Sequence, residues 1–260
     1  MALIGYRNAI TSGALSAGSA ALSVTGLQSP LGSAAMGWQT AAGVTTSWVQ
    51  CDSGASGTVW QLFGLFRTNL TQASTVRVRV GNPGLTTLTY DSGLLSNLVV
   101  PGYQQALHVT PAPVVGQVVR FDIVDGSNPD SFLNVPLAYA GPAWTLTRGL
   151  DYGSSSGRAA TEATVVTRDG TEFATPLAVL RSYSVSAAFM PDDEVWDQLQ
   201  RAIRVSRSGG NILFAPDETS TASLARRAVF GRLKTISDIS FDRLGGETRS
   251  WRGVVTERGA

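Results

Sequence analysis

Histidine and cysteine are nearly missing from these 260 residues: one of each occurs, His108 and Cys51. A lone cysteine excludes an internal disulfide, and the count fits a reducing compartment. As a nucleophile Cys51 would need His108 as its base and a third group to orient the pair, and no local signature links them. The plain reading of Cys51 is a small, half-buried side chain beside a strand. Charge is scarce as well, at 15% of residues with a net of +1. A field that weak excludes an electrostatic case for nucleic acid or an anionic membrane as a partner. Long hydrophobic runs are absent; none approaches the roughly 18 residues of a membrane-spanning helix, so no membrane insertion is expected. The opening stretch MALIGYRNAITSGALSAGSAALSVTG has one arginine followed by Ala, Ser, Gly and Thr in place of an apolar core. It reads as the start of a domain and not as a targeting segment. A Gly-rich phosphate cradle, metal-spaced His/Cys and a zinc-protease motif are all missing, so neither cofactor, metal nor catalytic residue is expected and the chain reads as a non-enzyme. A carboxylate pair for glycoside hydrolysis is defined in space and leaves no mark in sequence.

What is abundant is glycine, 28 residues, with 11 prolines and 43% apolar residues. Glycine-rich, charge-poor chains with many short apolar runs point to all-β architecture, in which turns consume glycine. Charge is also unevenly spread. Residues 1–150 contain six Arg and five Asp, with no Lys or Glu; the other 28 of the chain's 20 Lys/Arg and 19 Asp/Glu fall in residues 151–260. The shift suggests two units, 1–150 and 151–260, with Gly153-Ser154-Ser155-Ser156-Gly157 as the seam.

The first half reads as strands. Val76-Arg77-Val78-Arg79-Val80 alternates strictly, as does Val119-Arg120-Phe121-Asp122-Ile123, the period-two mark of a half-buried strand. Val59 to Phe66 is more continuously apolar and fits a strand covered on both faces. Turn signals separate these runs at Gly81-Asn82-Pro83-Gly84, Asp91-Ser92-Gly93, Pro101-Gly102 and Asp125-Gly126-Ser127-Asn128-Pro129. Many short strands so spaced predict an antiparallel β-sandwich. The second half is expected to be a smaller α+β domain. Arg168-Asp169-Gly170 marks a hairpin turn. Residues 192–207 predict one amphipathic helix, capped by Asp192 or its neighbour, with Val195, Trp196, Leu199, Ala202 and Ile203 on one stripe. Asn211–Ala215 is expected to return as a strand under that stripe, and Val229–Ile236 and Trp251–Glu257 supply two more.

In order, GWQT (residues 37–40), FRTNLT (66–71), VRVRV (76–80), YDSG (90–93), VVRFDI (118–123), the Asn-Pro-Asp turn and AGPAW (140–144) resemble the discoidin-like, galactose-binding-type jelly roll. More narrowly they resemble the version found in bacteriophage tail and virion proteins. RRAVFGRL (226–233), and the helix followed by ILFAPD (212–217), are similar to the second domain of such proteins, so the resemblance covers nearly the whole chain. One departure is FLNVPL (132–137): Pro136 removes a ladder hydrogen bond and places that strand at an edge or ends it early.

The resemblance implies a non-enzymatic virion component, a minor tail, distal-tail or baseplate protein assembled in the bacterial host cytoplasm. Copies of the chain would form a ring with one another and contact other phage tail proteins, while the jelly roll is displayed toward host surface glycans. The alternative is a carbohydrate-binding module acting on host or environmental glycans outside a virion.

Candidate binding residues follow. Asp125, Asn128 and Asp130 form an oxygen-rich loop that could meet a sugar, though its spacing falls short of a calcium loop and turn chemistry is the plainer reading. Trp38, Trp48, Trp60 and Tyr103 could offer stacking faces. Trp60 and Trp196 read as core, while Trp38, in a Gly/Ala/Ser loop, is the surface candidate. Arg77 and Arg79 project from one strand face toward an acidic group or a neighbouring subunit, or simply into solvent. Arg226 and Arg227 read as ordinary surface or subunit contacts.

Overall fold

The computed structural model describes residues 1–217, 221–241 and 248–258, leaving out the side chains at 159–163, 174–178, 221–223, 235–236 and 241. In chain order the strands begin with β1 (Leu3–Gly5), β2 (Ala14–Ala17), β3 (Trp38–Gln39), β4 (Thr46–Asp52), β5 (Val59–Phe66), β6 (Thr75–Gly81) and β7 (Leu88–Asp91). There follow β8 (Leu95–Ser96), β9 (Gln105–Val115), β10 (Val118–Val124), β11 (Asn134–Val135), β12 (Leu137–Gly141) and β13 (Trp144–Thr145). The remainder are β14 (Ser155–Val166), β15 (Glu172–Pro191), β16 (Ile212–Ala215), β17 (Val229–Ile236), β18 (Ser240–Phe241) and β19 (Thr248–Glu257). The chain is mainly β, and both sheets of the sandwich as well as the β14–β15 and β15–β19 pairs run antiparallel.

Two units make up the chain. One is Met1–Leu146 with Leu213–Ala228; the other is Thr147–Ile212 with Val229–Ala260. The segment Leu213–Ala228, read from sequence as part of the second half, therefore lies in the first unit. Its position follows from pairing: β16 runs antiparallel to β1, Ile4 opposite Phe214, and β13 occupies the other side of β1. The Gln105 side-chain amide donates to the carbonyls of Ala225 and Ala228, fastening the short helix Thr221–Arg227 onto β9.

The first unit is a β-sandwich. One sheet has six strands in the order β2–β4–β10–β6–β7, with β8 also paired to β6, and the other has the order β12–β5–β9, so neighbours in space are distant in sequence, as in a jelly roll. Alternation decides what each strand buries. Val49 and Cys51 from β4, Val76, Val78 and Val80 from β6, and Val119, Phe121 and Ile123 from β10 point inward. They meet Trp60, Phe63 and Leu65 of β5, with Phe63 and Phe121 edge to face at a centroid distance of 6.3 Å. The second face of β5 is also covered: every residue from Leu62 to Phe66 is buried. Burying a side chain of this size fully stabilises by about 1.5–3 kcal/mol, so this double-sided strand anchors the unit. Pro136 separates β11, paired with β3, from β12, paired with β5; the missing donor falls where the chain changes sheets.

In the second unit β14 and β15 form the expected hairpin, with Gly170 in the left-handed conformation at φ 86° and the Asp169 carboxylate accepting from the Thr171 backbone N–H. Both strands are much longer than the turn signals indicated. β19 pairs with β15 only from Ser182 onward, so, among the described residues, Glu172–Arg181 and Arg158–Val166 of β14 form a two-stranded arm. The helical run after β15 consists of Asp192–Glu194, a π-helical segment Val195–Leu199 and Gln200–Arg207. Its N-cap is Pro191, without a side-chain cap, instead of the expected aspartate. Val195, Leu199, Ala202 and Ile203 are buried as expected, but Trp196 is 57% exposed. The wider π turn shifts the stripe and leaves the indole outside it. Ser206 on this helix is bonded to both the N–H and the carbonyl of Leu233, pinning it to β17.

Candidate functional site

The outer face of the six-stranded sheet gathers the scarce charges of the first half. Period two places Trp48 and Gln50 of β4, Arg120 and Asp122 of β10, and Arg77 and Arg79 of β6 on the side opposite the core. Register sets their neighbours. Asp122 lies between Trp48 and Arg77, Arg120 lies between Gln50 and Arg79, and Asp91 of β7 faces Arg79. Six of the eleven charged residues in 1–150, Asp52 at the end of β4 included, thus share one sheet face.

These side chains are fixed to one another. The Asp122 carboxylate accepts from Arg79 Nε and Nη2, both at 2.8 Å, and from Arg120 Nε at 2.9 Å. Arg77 forms a two-pronged pair with Asp91, its Nε at 2.8 Å from Oδ1 and its Nη2 on Oδ2. The Arg77 guanidinium, aided by the Gly93 N–H, holds the Asp91 carboxyl down at about 2, so it is ionised throughout the neutral range. The Arg120 guanidinium carbon sits 4.0 Å above the Trp48 ring, a cation–π contact on a half-buried indole. A planar array of guanidinium donors and carboxylate acceptors beside an aromatic edge can hydrogen-bond a polar ligand without first ordering its side chains.

The structure brings Arg77 and Arg79 together as the sequence suggested, but each already has an acidic partner. Arg226 and Arg227 lie in the exposed part of the helix Thr221–Arg227, and Arg227 Nη2 donates to Asp217 at 2.7 Å. Trp38 overturns its expectation as a surface platform. It is fully buried, and its indole N–H donates to the Ser19 carbonyl at 2.7 Å. The surrounding Gly/Ala/Ser loop folds over the ring. Trp60 is core, its N–H on the Gly116 carbonyl, and Tyr103 is half-buried.

Asp125, Asn128 and Asp130 do come together, but around the chain itself. Asp125 accepts from the Thr71 N–H, the Thr71 hydroxyl and the Asn128 amide, and Asn128 also donates to the Asn69 carbonyl. Asp130 accepts from Asn69 Nδ2, which also donates to the Phe132 carbonyl while Asn69 Oδ1 accepts from the Asn134 N–H. With Asp125 and Asn128 buried, these groups lock the turn and present no open set of oxygens. Among the described residues no group of three or more His, Cys, Asp or Glu converges to hold a metal. Cys51 is fully buried within β4, not beside a strand, and burial together with the Asp52 charge pushes its thiol up to about 12. That removes the thiolate a nucleophile requires.

Sequence reasoning passed over Asp122, Asp91 and the Trp48–Arg120 stack. The signal was available in TSWVQCD, where Trp48 and Gln50 alternate with the inward Val49 and Cys51. Which strands lie beside β4, however, is a tertiary fact with no local mark.

No family model matches the chain, and neither does any curated protein. Among solved structures, the lectin domain of lectinolysin complexed with Lewis b antigen is similar over 52% of this chain and 95% of its own, at 15% identity and TM-score 0.41. Chitosan-binding module 1 of a chitosanase/glucanase from Paenibacillus sp. IK-5 matches 52% of this chain and 99% of its own, at 17% identity and TM-score 0.37. The family 32 carbohydrate-binding module of NanJ from C. perfringens, in complex with galactose, matches 53% of this chain and 98% of its own, at 12% identity and TM-score 0.39. Likenesses this distant say nothing of what the present chain binds.

Proposed function

We propose that the chain is a non-catalytic binding protein whose first unit recognises a glycan across the outer face of the six-stranded sheet. The observation that carries this reading is the ordered lattice of Trp48, Arg120, Asp122, Arg79, Arg77 and Asp91 on an otherwise charge-poor unit. A hydroxyl-rich ligand uses both donors and acceptors, and the face offers both, with three guanidinium and two carboxylate groups already in place. The test is a glycan array with the full chain, alongside Trp48→Ala and Arg79→Gln. Retention of at least one saccharide by the parent and its loss in both variants supports the reading; an empty array, or binding equal in all three, overturns it.

The arm of the second unit favours a role in assembly as well. Val165, Val166, Phe173 and Val179 are each about 60% exposed there, at 61%, 63%, 58% and 59%, and Val165 stands directly opposite Phe173 across the hairpin. Apolar pairs of that kind stabilise when covered, and two strands alone make a marginal structure. On this reading the arm joins copies of the chain in a ring within a bacteriophage tail, and the sandwich is displayed from it. Sedimentation of the full chain tests it. A concentration-dependent oligomer that Phe173→Glu disperses supports self-assembly, whereas a monomer at every concentration sinks it.

A further inference from the structure

The helical run Asp192–Arg207 turns one face inward and the other to solvent. Val195, Leu199, Ala202, Ile203 and Ser206 are buried, and Ser206 fixes the run to β17. Along the opposite side Asp193, Trp196, Asp197, Arg201, Arg204 and Arg207 are all exposed. That face is divided by charge: both acids stand in its first half and all three arginines in its second. The helix dipole favours this order of charges, but it gives no reason for an indole among them. Trp196 is 57% exposed. Tryptophan and arginine are the side chains that carry much of the energy of protein–protein contacts.

Charge selects what can cover the face. Asp197 reaches Arg201 at 3.7 Å within the helix, whereas, among the described residues, no ion pair engages Arg204 or Arg207. A nucleic acid would meet Asp193 and Asp197, and a basic peptide would meet the arginines. The same helix of a second copy, laid antiparallel, meets neither conflict. Gln200 is midway between Asp193 and Arg207, and likewise midway between Trp196 and Arg204. A two-fold axis at Gln200 therefore sets Asp193 against Arg207 of the second copy, and Trp196 against its Arg204, the surface being complementary to itself. A guanidinium over an indole is a favourable cation–π pair, and the two half-buried Gln200 amides can donate to and accept from one another. A parallel arrangement puts acid on acid and arginine on arginine, so the direction is decided. Residues 193 to 207 span about 21 Å, and one helix pair covers less than the roughly 800 Å² per partner of a stable interface. The contact is weak by itself and gains strength where another contact already holds copies together.

We propose that the outer face of this helix docks, antiparallel, on the same face of a second copy of the chain, with Asp193 on Arg207, Trp196 on Arg204 and Gln200 at the two-fold axis. The contact uses no residue of the arm, and the two stand or fall independently.

The experiment uses the full chain carrying Phe173→Glu, which disperses an arm-mediated ring and leaves the helix face unaltered. Gln200→Cys in that background, oxidised and run on a non-reducing gel, is expected to give a covalent dimer, because the two residues meet at the axis and Cys51 is buried. Arg207→Cys, which faces position 193 of the second copy, is expected to give several-fold less. Sedimentation of charge variants supplies the second measurement. Asp193→Arg and Arg207→Asp each set like charges together, so each is expected to be monomeric alone. Mixed in equal amounts they restore opposite charges at both ends and are expected to sediment as a dimer. Trp196→Ala is expected to weaken dimerisation about tenfold, and added salt to weaken it further. Equal cross-linking at 200 and 207 overturns the proposal, as does a mixture of the two charge variants that stays monomeric. Dimerisation unaltered by Trp196→Ala overturns it too. These are exposed positions, and circular dichroism checks that each variant keeps its fold; should Asp193→Arg unfold the first turn, the two cysteine variants decide the matter.

Discussion

Tyr90 Oη lies 2.7 Å from Nε2 of His108, joining β7 of one sheet to β9 of the other. The two rings stack at 5.9 Å, and Phe63 also stacks with the imidazole, at 6.1 Å. The chain's one histidine is therefore a polar rivet between sheets, set in an apolar layer. Tyr90→Phe keeps the ring stack and removes the hydroxyl, leaving His108 Nε2 unmet. The expected loss is about 1 kcal/mol. Thermal melting reads this as a drop of about 2–4 °C, and an unchanged melting curve contradicts the rivet.

The same imidazole makes stability depend on pH. Burial lowers the His108 pKa, because the charged form is excluded from the apolar layer. The unfolded chain titrates near the ordinary histidine value of about 6.5 and takes up the proton first. The His108 contribution is thus complete above that value and is lost as pH falls from there through the lower folded pKa. Urea midpoints measured between pH 7.5 and pH 5 should fall, and His108→Phe should flatten the slope. Asp91 acts in a different window. Held at about 2 by Arg77, it supports folding above the ordinary carboxylate range and ceases to do so as pH drops toward 2. A slope between pH 7.5 and 5 that survives His108→Phe assigns the dependence elsewhere.

Trp38 and Trp196 exchange the roles that local sequence suggests. Trp38→Ala empties a fully buried indole site and should cost about 3–5 kcal/mol. Trp196→Ala removes an exposed ring and should change stability by about 0.5 kcal/mol at most. Denaturation of the two variants in parallel checks both. Equal effects would contradict the burial of one and the exposure of the other.

These two tryptophans show where sequence is informative and where it is not. Strands with strict alternation, Val76 to Val80 and Val119 to Ile123, declare both their type and their buried face, because period two is a local property. Trp38 sits among Gly, Ala and Ser, whose small side chains carry no signal of what the loop folds against. Trp196 falls off the apolar stripe because the 3.6-residue period breaks across a π-helical turn, which the sequence does not mark. β16 was recognisable as a strand, but its partner β1 lies more than 200 residues away, and no local pattern encodes so distant a pairing. The outer-face site has the same division: each residue's side of its strand is legible, and the adjacency of β4, β10 and β6 is not.

The turn at Asp125 offers a further check. Its carboxylate accepts three hydrogen bonds in a buried setting, so Asp125→Ala leaves the Thr71 N–H and hydroxyl unmet and should cost about 1–3 kcal/mol. On the present reading the variant should bind any glycan found on the array as the parent does, since the Asp125 carboxylate ties the turn after β10 to Thr71 in the loop before β6. Loss of binding without loss of stability would return the loop to the list of ligand sites.

Arg79 and Arg120 stand directly opposite one another on β6 and β10, an arrangement that like charges disfavour. Asp122 resolves it by accepting from both guanidinium groups. The three side chains are 22–24% exposed, so solvent only partly screens them. Removing the acid therefore does more than delete a pair, because it leaves two facing cations. Asp122→Asn should destabilise by about 1–2 kcal/mol, more than Arg79→Gln, which leaves the Arg120–Asp122 pair intact. The double variant Arg79→Gln/Asp122→Asn should recover part of the loss, since only one cation then remains. A double-mutant cycle at low salt measures the coupling, and raising the salt should shrink it. If Asp122→Asn and Arg79→Gln act additively, the carboxylate does not neutralise the facing arginines and the outer face is not a preformed lattice.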